Sequence, residues 1–219
     1  SVQLDNLPSF QSAGRKFEAY LNFGSSHDQS CVFFANTSNI CTVCDNTFSA
    51  NLVREGETVN ARIKHTKNSG DKLDNLPQLI DAAIGVQAEF AAALNSLDAK
   101  PIARIEASRA IAGFVLRHKS ETELEKIGVS TRASNIINRI DDLFVSGKGN
   151  RGKTRADLFS AVTDYYSHES SGGDDRWKQF VSSEFGAGNR TKSEFYRIVT
   201  SEGRLQDTIR HGEKALALS

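Results

Sequence analysis

The chain has 219 residues, enough to bury a sizeable core and to form one large or two small domains. Its 27 Lys and Arg equal its 27 Asp and Glu, which excludes a global bias toward nucleic acid or an acidic membrane, so any anionic partner has to be met by a local patch. No apolar run approaches the ~18 residues of a membrane helix, and no membrane partner is expected. No signal peptide is expected either, because the first residues lack a basic start followed by an apolar stretch. The three cysteines, Cys31, Cys41 and Cys44, crowd into one short stretch. That is too local for a disulfide framework and points to a reducing, intracellular setting.

Taken in chain order, KFEAYLNFGSS alternates Phe17, Ala19, Leu21 and Phe23 with polar neighbours, the period of a half-buried strand. SHDQS reads as a turn. CVFFANTSNICTVC reads as a second strand with an interruption at Asn36–Asn39, and VNARIKHT (Val59–Thr66) as a third. DNTFSANL reads as a short helix capped by Asp45 or Asn46. The composition shifts near Asn68–Gly70, which places a boundary between a β-rich module over 1–70 and a helical region over 71–219.

From there the helical period takes over. Leu76, Leu79, Ile80, Ala83, Ile84, Phe90, Leu94 and Leu97 form one stripe, with Pro77 in the first turn. Pro101 opens a second pattern through Ile102, Ile105, Ile111, Phe114 and Val115. Ser130 caps a third, with Ile136, Ile137, Ile140, Leu143 and Phe144, ending before Gly147. Thr154 and Asp157 form a capping-box start for a fourth, whose face is Leu158, Val162, Tyr165 and Tyr166. Trp177, Phe180, Val181 and Phe185 suggest a fifth. Phe195, Ile198 and Val199 suggest a sixth, and a last helix covers about Arg204–Leu218. The expected class is α+β: a small antiparallel N-terminal sheet followed by a larger helical part.

Several clusters carry candidate chemistry. His27, Cys31, Cys41 and Cys44 have the residue types of a zinc site, but Cys41 and Cys44 would face opposite sides of an extended strand, so buried structural cysteines are expected and no metal is assigned. His27 and Asp28, with His65, could pair for general-base chemistry, against which stands a plain tight turn. Asp141, Asp142, Asp164, Glu169, Asp174 and Asp175 share no compact motif of the kind a two-metal nuclease needs. FGAGNRTK (Phe185–Lys192) reads as a glycine-bearing loop before a helix that could hold a phosphate, without the full P-loop pattern. No catalytic residue and no cofactor is assigned.

The most distinctive segment is KGNRGKTR, with Lys148, Arg151, Lys153 and Arg155 in eight positions and no apolar anchor. It is expected to be an exposed, mobile link between two helices, able to reach a phosphate backbone. Arg190 and Lys192 would extend the track, and Tyr166 or His168 could stack on an exposed base.

Five strings, in order across roughly Lys16–Ile198, carry a family resemblance. SSHDQS resembles an "NSHDGS" turn, ICTVCDNTFSANL a "VVCxNTLxxAL" segment and ARIKHT an "IRHT" strand. After GKGN, RADLFSAVTDYYSH resembles "TAWGLYNAVTEYVDH", and WKQFVSSEFGAGNRTKSEFYRIV a closing "F…FGxGxxxKxxA" element. Together they resemble the phage/plasmid-like family of proteins of unknown function. Members usually carry further strands before the SHD turn, where this chain has about two dozen residues; its sheet is either shortened or diverged there. The resemblance implies a setting in phage or plasmid biology, in the host-cell cytoplasm, and no reaction. The leading expectation is a non-enzymatic accessory protein binding nucleic acid, notably single-stranded DNA in replication or recombination, through the basic patch. The alternative is a protein-interaction or structural phage factor, including a homo-oligomer, that binds no nucleic acid. A metal-dependent nuclease stands third.

Overall fold

The computed structural model describes residues 2–3, 10–24, 33–41, 47–49, 61–63, 88–170 and 187–218. The expected boundary at Asn68–Gly70, the stripe from Leu76 to Ile84, the fifth helix with Trp177, and His27, Asp28, Cys31, Cys44 and His65 lie outside them. The fold is α+β, with an antiparallel sheet at the N-terminus and helices after it. The chain divides into two compact units, Ser1–Asn95 and Ser96–Ser219.

In the first unit two long strands, β3 (Arg15–Gly24) and β4 (Phe33–Cys41), pair from Phe17↔Cys41 to Gly24↔Phe34. The outer edge of β3 is covered by β1 (Val2–Gln3) and β2 (Phe10–Ser12). That of β4 is covered by β5 (Thr47–Ser49) and β6 (Ala61–Ile63). Short flanking strands of this kind blunt the edges of a small sheet. β4 runs unbroken through Asn36–Asn39, contrary to the expected interruption, because backbone pairing with β3 holds the two asparagines, which are weak strand formers, in the ladder. Thr47–Ser49 is strand and not helix, since pairing with Ser38–Ile40 outweighs the local capping signal.

The β2–β3 hairpin turns through Ala13 and Gly14, at φ 52° and 70°, the doubly left-handed turn that suits strand twist. Ala13 is an uncommon occupant of that region, and its N–H donates to Asn95 Oδ1 at 3.2 Å. The Ser12 hydroxyl lies 3.0 Å from the same oxygen and 3.1 Å from the Ala91 carbonyl. Beside this anchor Phe17 meets Phe90 edge-on at 5.7 Å, both fully buried, so the hairpin packs on helix α1, described over 88–98.

The second unit contains α2 (Arg104–Val115), α3 (Glu121–Ile127), α4 (Thr131–Ser146), α5 (Arg155–His168), α6 (Ala187–Thr200) and α7 (Glu202–Ala217). α4 starts and stops where its signals lie: the Ser130 hydroxyl accepts from Ala133 N–H, and the helix ends at Gly147. α3 has no apolar period, but its S-E-T-E start forms a capping box, with Ser120 and Glu123 exchanging side-chain-to-backbone bonds of 2.8 and 3.3 Å.

α5 lies against α4 and α6 and is buried on every side from Arg155 to Thr163. A helix so enclosed reads ambiguously in sequence, because Ala156, Ser160 and Ala161 pack as core without being large and apolar. α2 and α7 cross in opposite directions at Gly113 and Gly212, with Arg109 reaching Glu213 at 2.8 Å. That close crossing turns Ala107, Ala110, Ile111 and Phe114 inward and leaves Ile105, expected on the buried face, 58% exposed.

Candidate nucleic-acid interface

The α4–α5 link is built by local bonds rather than left loose, so the mobility expected of it does not fit its geometry. Gly147 N–H and Asn150 Nδ2 both donate to the Leu143 carbonyl, at 2.9 and 2.7 Å, and Asn150 N–H donates to Gly147 O at 2.9 Å. Gly149 and Gly152 take left-handed φ of 78° and 66°, which their missing Cβ permits. Beyond them the chain pairs with the segment before α2. Ile102 N–H donates to Lys153 O and Arg155 N–H to Lys100 O, both at 3.0 Å, around a bridge between Pro101 and Thr154.

The start of α5 then closes as a capping box. The Thr154 hydroxyl accepts from Asp157 N–H at 3.3 Å, while Asp157 Oδ2 accepts from the N–H groups of Thr154 and Lys153 at 3.2 and 3.1 Å. Asp157 is fully buried, and these bonds to backbone amides are what make a carboxylate tolerable there.

The cations divide into two groups. Lys148, Arg151 and Lys153 are exposed, and Lys148 and Lys153 form no ion pair with another described residue. Arg151 is ion-paired with Asp98, and its Nε lies 4.0 Å from Asp157 Oδ1. Arg155 turns inward instead, reaching Glu202 Oε2 at 2.6 Å and the Val199 carbonyl at 3.4 Å, so it joins α5 to the α6–α7 corner. Lys192 is fully buried with Nζ 3.3 Å from Ser167 Oγ. Neither offers its charge to a surface strand of phosphates, because each is within the helical core.

Arg190 is exposed in the first turn of α6. The residues from Ala187 onward are already helical, so the expected glycine loop does not extend over Ala187–Lys192. His168 is exposed and lies 3.8 Å from Asp164 one turn back. It sits at the far end of α5, about 20 Å from the basic loop at 1.5 Å per residue. Tyr166 is half-buried, edge-on to Phe114 at 6.3 Å and to Tyr165 at 5.2 Å. Burial holds its phenol above the usual tyrosine value, partly offset by the Arg117 guanidinium. It reads as a packing residue rather than a platform for a base. One residue that sequence reasoning missed is Lys100, which is exposed and is brought beside the loop by the pairing with Arg155.

The carboxylates do not converge. Asp141 is bound by Arg104 and Ser108, and the two Glu169 oxygens accept from Arg139 Nε and Nη2, each at 2.7 Å. Asp174 and Asp175 lie outside the described residues. Among the described residues no group of three His, Cys, Asp or Glu side chains is placed to hold a metal ion. In the same range no helix is long and apolar enough to cross a membrane.

Residues 5–208 match the family model described as Domain of unknown function (DUF932). The chain belongs to the DUF932 family. No curated protein and no solved structure matches it. The DUF932 match takes in β2 to β6, the basic loop and the first half of α7, so the loop lies inside the family's own domain.

The division of the cations has a direct consequence for stability. Arg155→Ala should lower the urea midpoint by an amount equivalent to about 1–3 kcal/mol, through lost packing of the stem and lost bonds to Val199 and Glu202. Lys153→Ala, beside it in sequence but exposed, should stay within about 0.5 kcal/mol of wild type. Equal costs for the two would contradict the placement of Arg155.

Proposed function

We propose that this DUF932 chain is a non-enzymatic accessory protein of phage or plasmid biology that binds nucleic acid, with single-stranded DNA the favoured form, through the α4–α5 loop. The observation that carries the reading is a loop fixed by its own backbone and by Asn150, with Lys148 and Lys153 exposed on it and spent on no core contact. Preset cations lose less freedom on meeting a phosphate backbone than cations on a loose tether. Lys100 and Arg151 supply further charge beside them. The ordered family strings support the phage or plasmid setting, and with it the host-cell cytoplasm.

The test is the salt dependence of binding to a labelled oligothymidylate. If both lysines contact phosphates, Lys148→Ser with Lys153→Ser should flatten the slope of log K against log salt by about 1.4, at about 0.7 per single-strand contact. The melting temperature should stay nearly constant. A wild-type chain that fails to bind at low salt, or a double variant with an unaltered slope, would overturn the reading in favour of a protein-interaction factor.

A further inference from the structure

We propose that Asp98 is an acidic latch that restrains Arg151, the central cation of the loop, and so sets how strongly the loop attracts a polyanion; this rests on the nucleic-acid reading above. Asp98 lies at the end of α1, about fifty residues before the loop, and no local sequence pattern connects the two. The fold brings them together through the Pro101–Thr154 bridge. One oxygen, Asp98 Oδ1, takes both the Arg151 guanidinium and the Thr154 hydroxyl, the latter at 3.0 Å. On its other side Arg151 Nε faces Asp157 at 4.0 Å.

The two carboxylates are not equivalent. Asp157 is fully buried and bonded to the Lys153 and Thr154 amides, so its place is fixed by the helix start. The Asp98 side chain is 23% exposed and that of Arg151 is 50% exposed, so their pair sits where an arriving phosphate can compete for it. A guanidinium shared with a carboxylate has fewer donors left for a phosphate, and the carboxylate repels the incoming charge. Three loop cations, Lys148, Arg151 and Lys153, therefore stand against Asp98 and Asp157, leaving a small positive excess. Neutralising Asp98 doubles that excess and frees the only one of the three that can bind a phosphate with a planar fork.

Asp98→Asn keeps the size of the side chain and an oxygen to accept from Thr154, so the fold should be retained. Asp98→Ser gives the same comparison in a smaller side chain. Wild type, Asp98→Asn, Asp98→Ser, Arg151→Ser and the Asp98→Asn/Arg151→Ser double variant are titrated with labelled oligothymidylate at stepped sodium chloride. Release of Arg151 should steepen the log K against log salt slope of Asp98→Asn by about 0.7, so that a fourfold rise in salt costs it about 2.6-fold more affinity than wild type. Asp98→Asn/Arg151→Ser should show the slope of Arg151→Ser alone, because the latch acts only through the arginine. A change of the same size with and without Arg151 would mean general charge rather than a latch, and overturns it. So does binding by wild type that both Asp98 variants leave unaltered, while the nucleic-acid reading stands. No binding by any of the proteins at low salt removes that reading and the latch together.

Discussion

Gly212→Ala should destabilise the helical unit by about 3 kcal/mol, toward the upper end of what an overpacked core costs. An alanine is intrinsically the better helix former by about 1 kcal/mol, so propensity alone predicts the opposite sign. The geometry decides. A Cβ on Gly212 would overlap the Arg109 carbonyl oxygen and lie 2.6 Å from the Gly113 nitrogen, both on the facing helix. Gly113 has the reciprocal problem, its Cβ meeting the Thr208 carbonyl and lying 3.0 Å from Gly212 N. The obstacle is backbone on both sides, which no rotamer change relieves, so α2 and α7 would have to separate. Gly203→Ala, on the same helix α7, is the matched control: nothing lies within 4 Å of its added carbon, and it should gain up to about 1 kcal/mol. Thermal melts should then move in opposite directions, by about 6–12 °C downward for Gly212→Ala. A Gly212→Ala protein melting with wild type would mean that the two helices do not cross there.

The same crossing explains where helix periodicity misled. Ile105 lies three residues after Ile102 and six before Ile111, on the expected apolar stripe, yet it is exposed. The contact between α2 and α7 is made by small residues, which a hydrophobic stripe does not mark, and the helix is rotated to suit them. By contrast α4 was legible to its ends, because Ser130, the paired isoleucines and Gly147 all point to one helix. In the sheet, the alternation around Phe17 marked β3, while β1 and β2 are too short to show a period.

The candidate site was legible only in part. Composition singled out a basic, glycine-bearing link, and the capping box at Thr154 and Asp157 was readable from spacing alone. What could not be read was the direction of each side chain. Arg155 follows Thr154 into the first turn of α5, and that helix is enclosed on all sides, so its charge goes to Glu202 rather than to the surface. Lys192, on α6, turns toward Ser167 of α5 and is buried there. Spacing placed both Tyr165 and Tyr166 on the helix face, and Tyr166 is the one whose ring meets Phe114. Asp98 and Lys100 carried no signal at all, because only the fold places them beside the loop.

Phe114→Ala is expected to remove about 3–5 kcal/mol, the usual cost of emptying a fully buried aromatic site. Phe114 is the hub on which three elements meet. Its ring lies 4.6 Å from that of Phe195 on α6 and edge-on to Tyr166 on α5. The Arg117 guanidinium stands 4.2 Å over its face. Arg117 is in turn held by the Phe114 carbonyl at 2.8 Å and by Glu194 at 3.0 Å, so the arginine closes the C-terminal end of α2 against α6. Phe114→Leu separates the contributions. It keeps most of the apolar volume but loses the ring face, so it should cost about 1–2 kcal/mol, with the cation–π part accounting for roughly 0.5–1. In Phe114→Leu, a further Arg117→Ala change should cost less than it does in the wild-type background, since the partner face is already gone. Urea denaturation of the four proteins gives the coupling directly. An Arg117→Ala cost that is the same in both backgrounds would show that the guanidinium is held by Glu194 and the carbonyl alone.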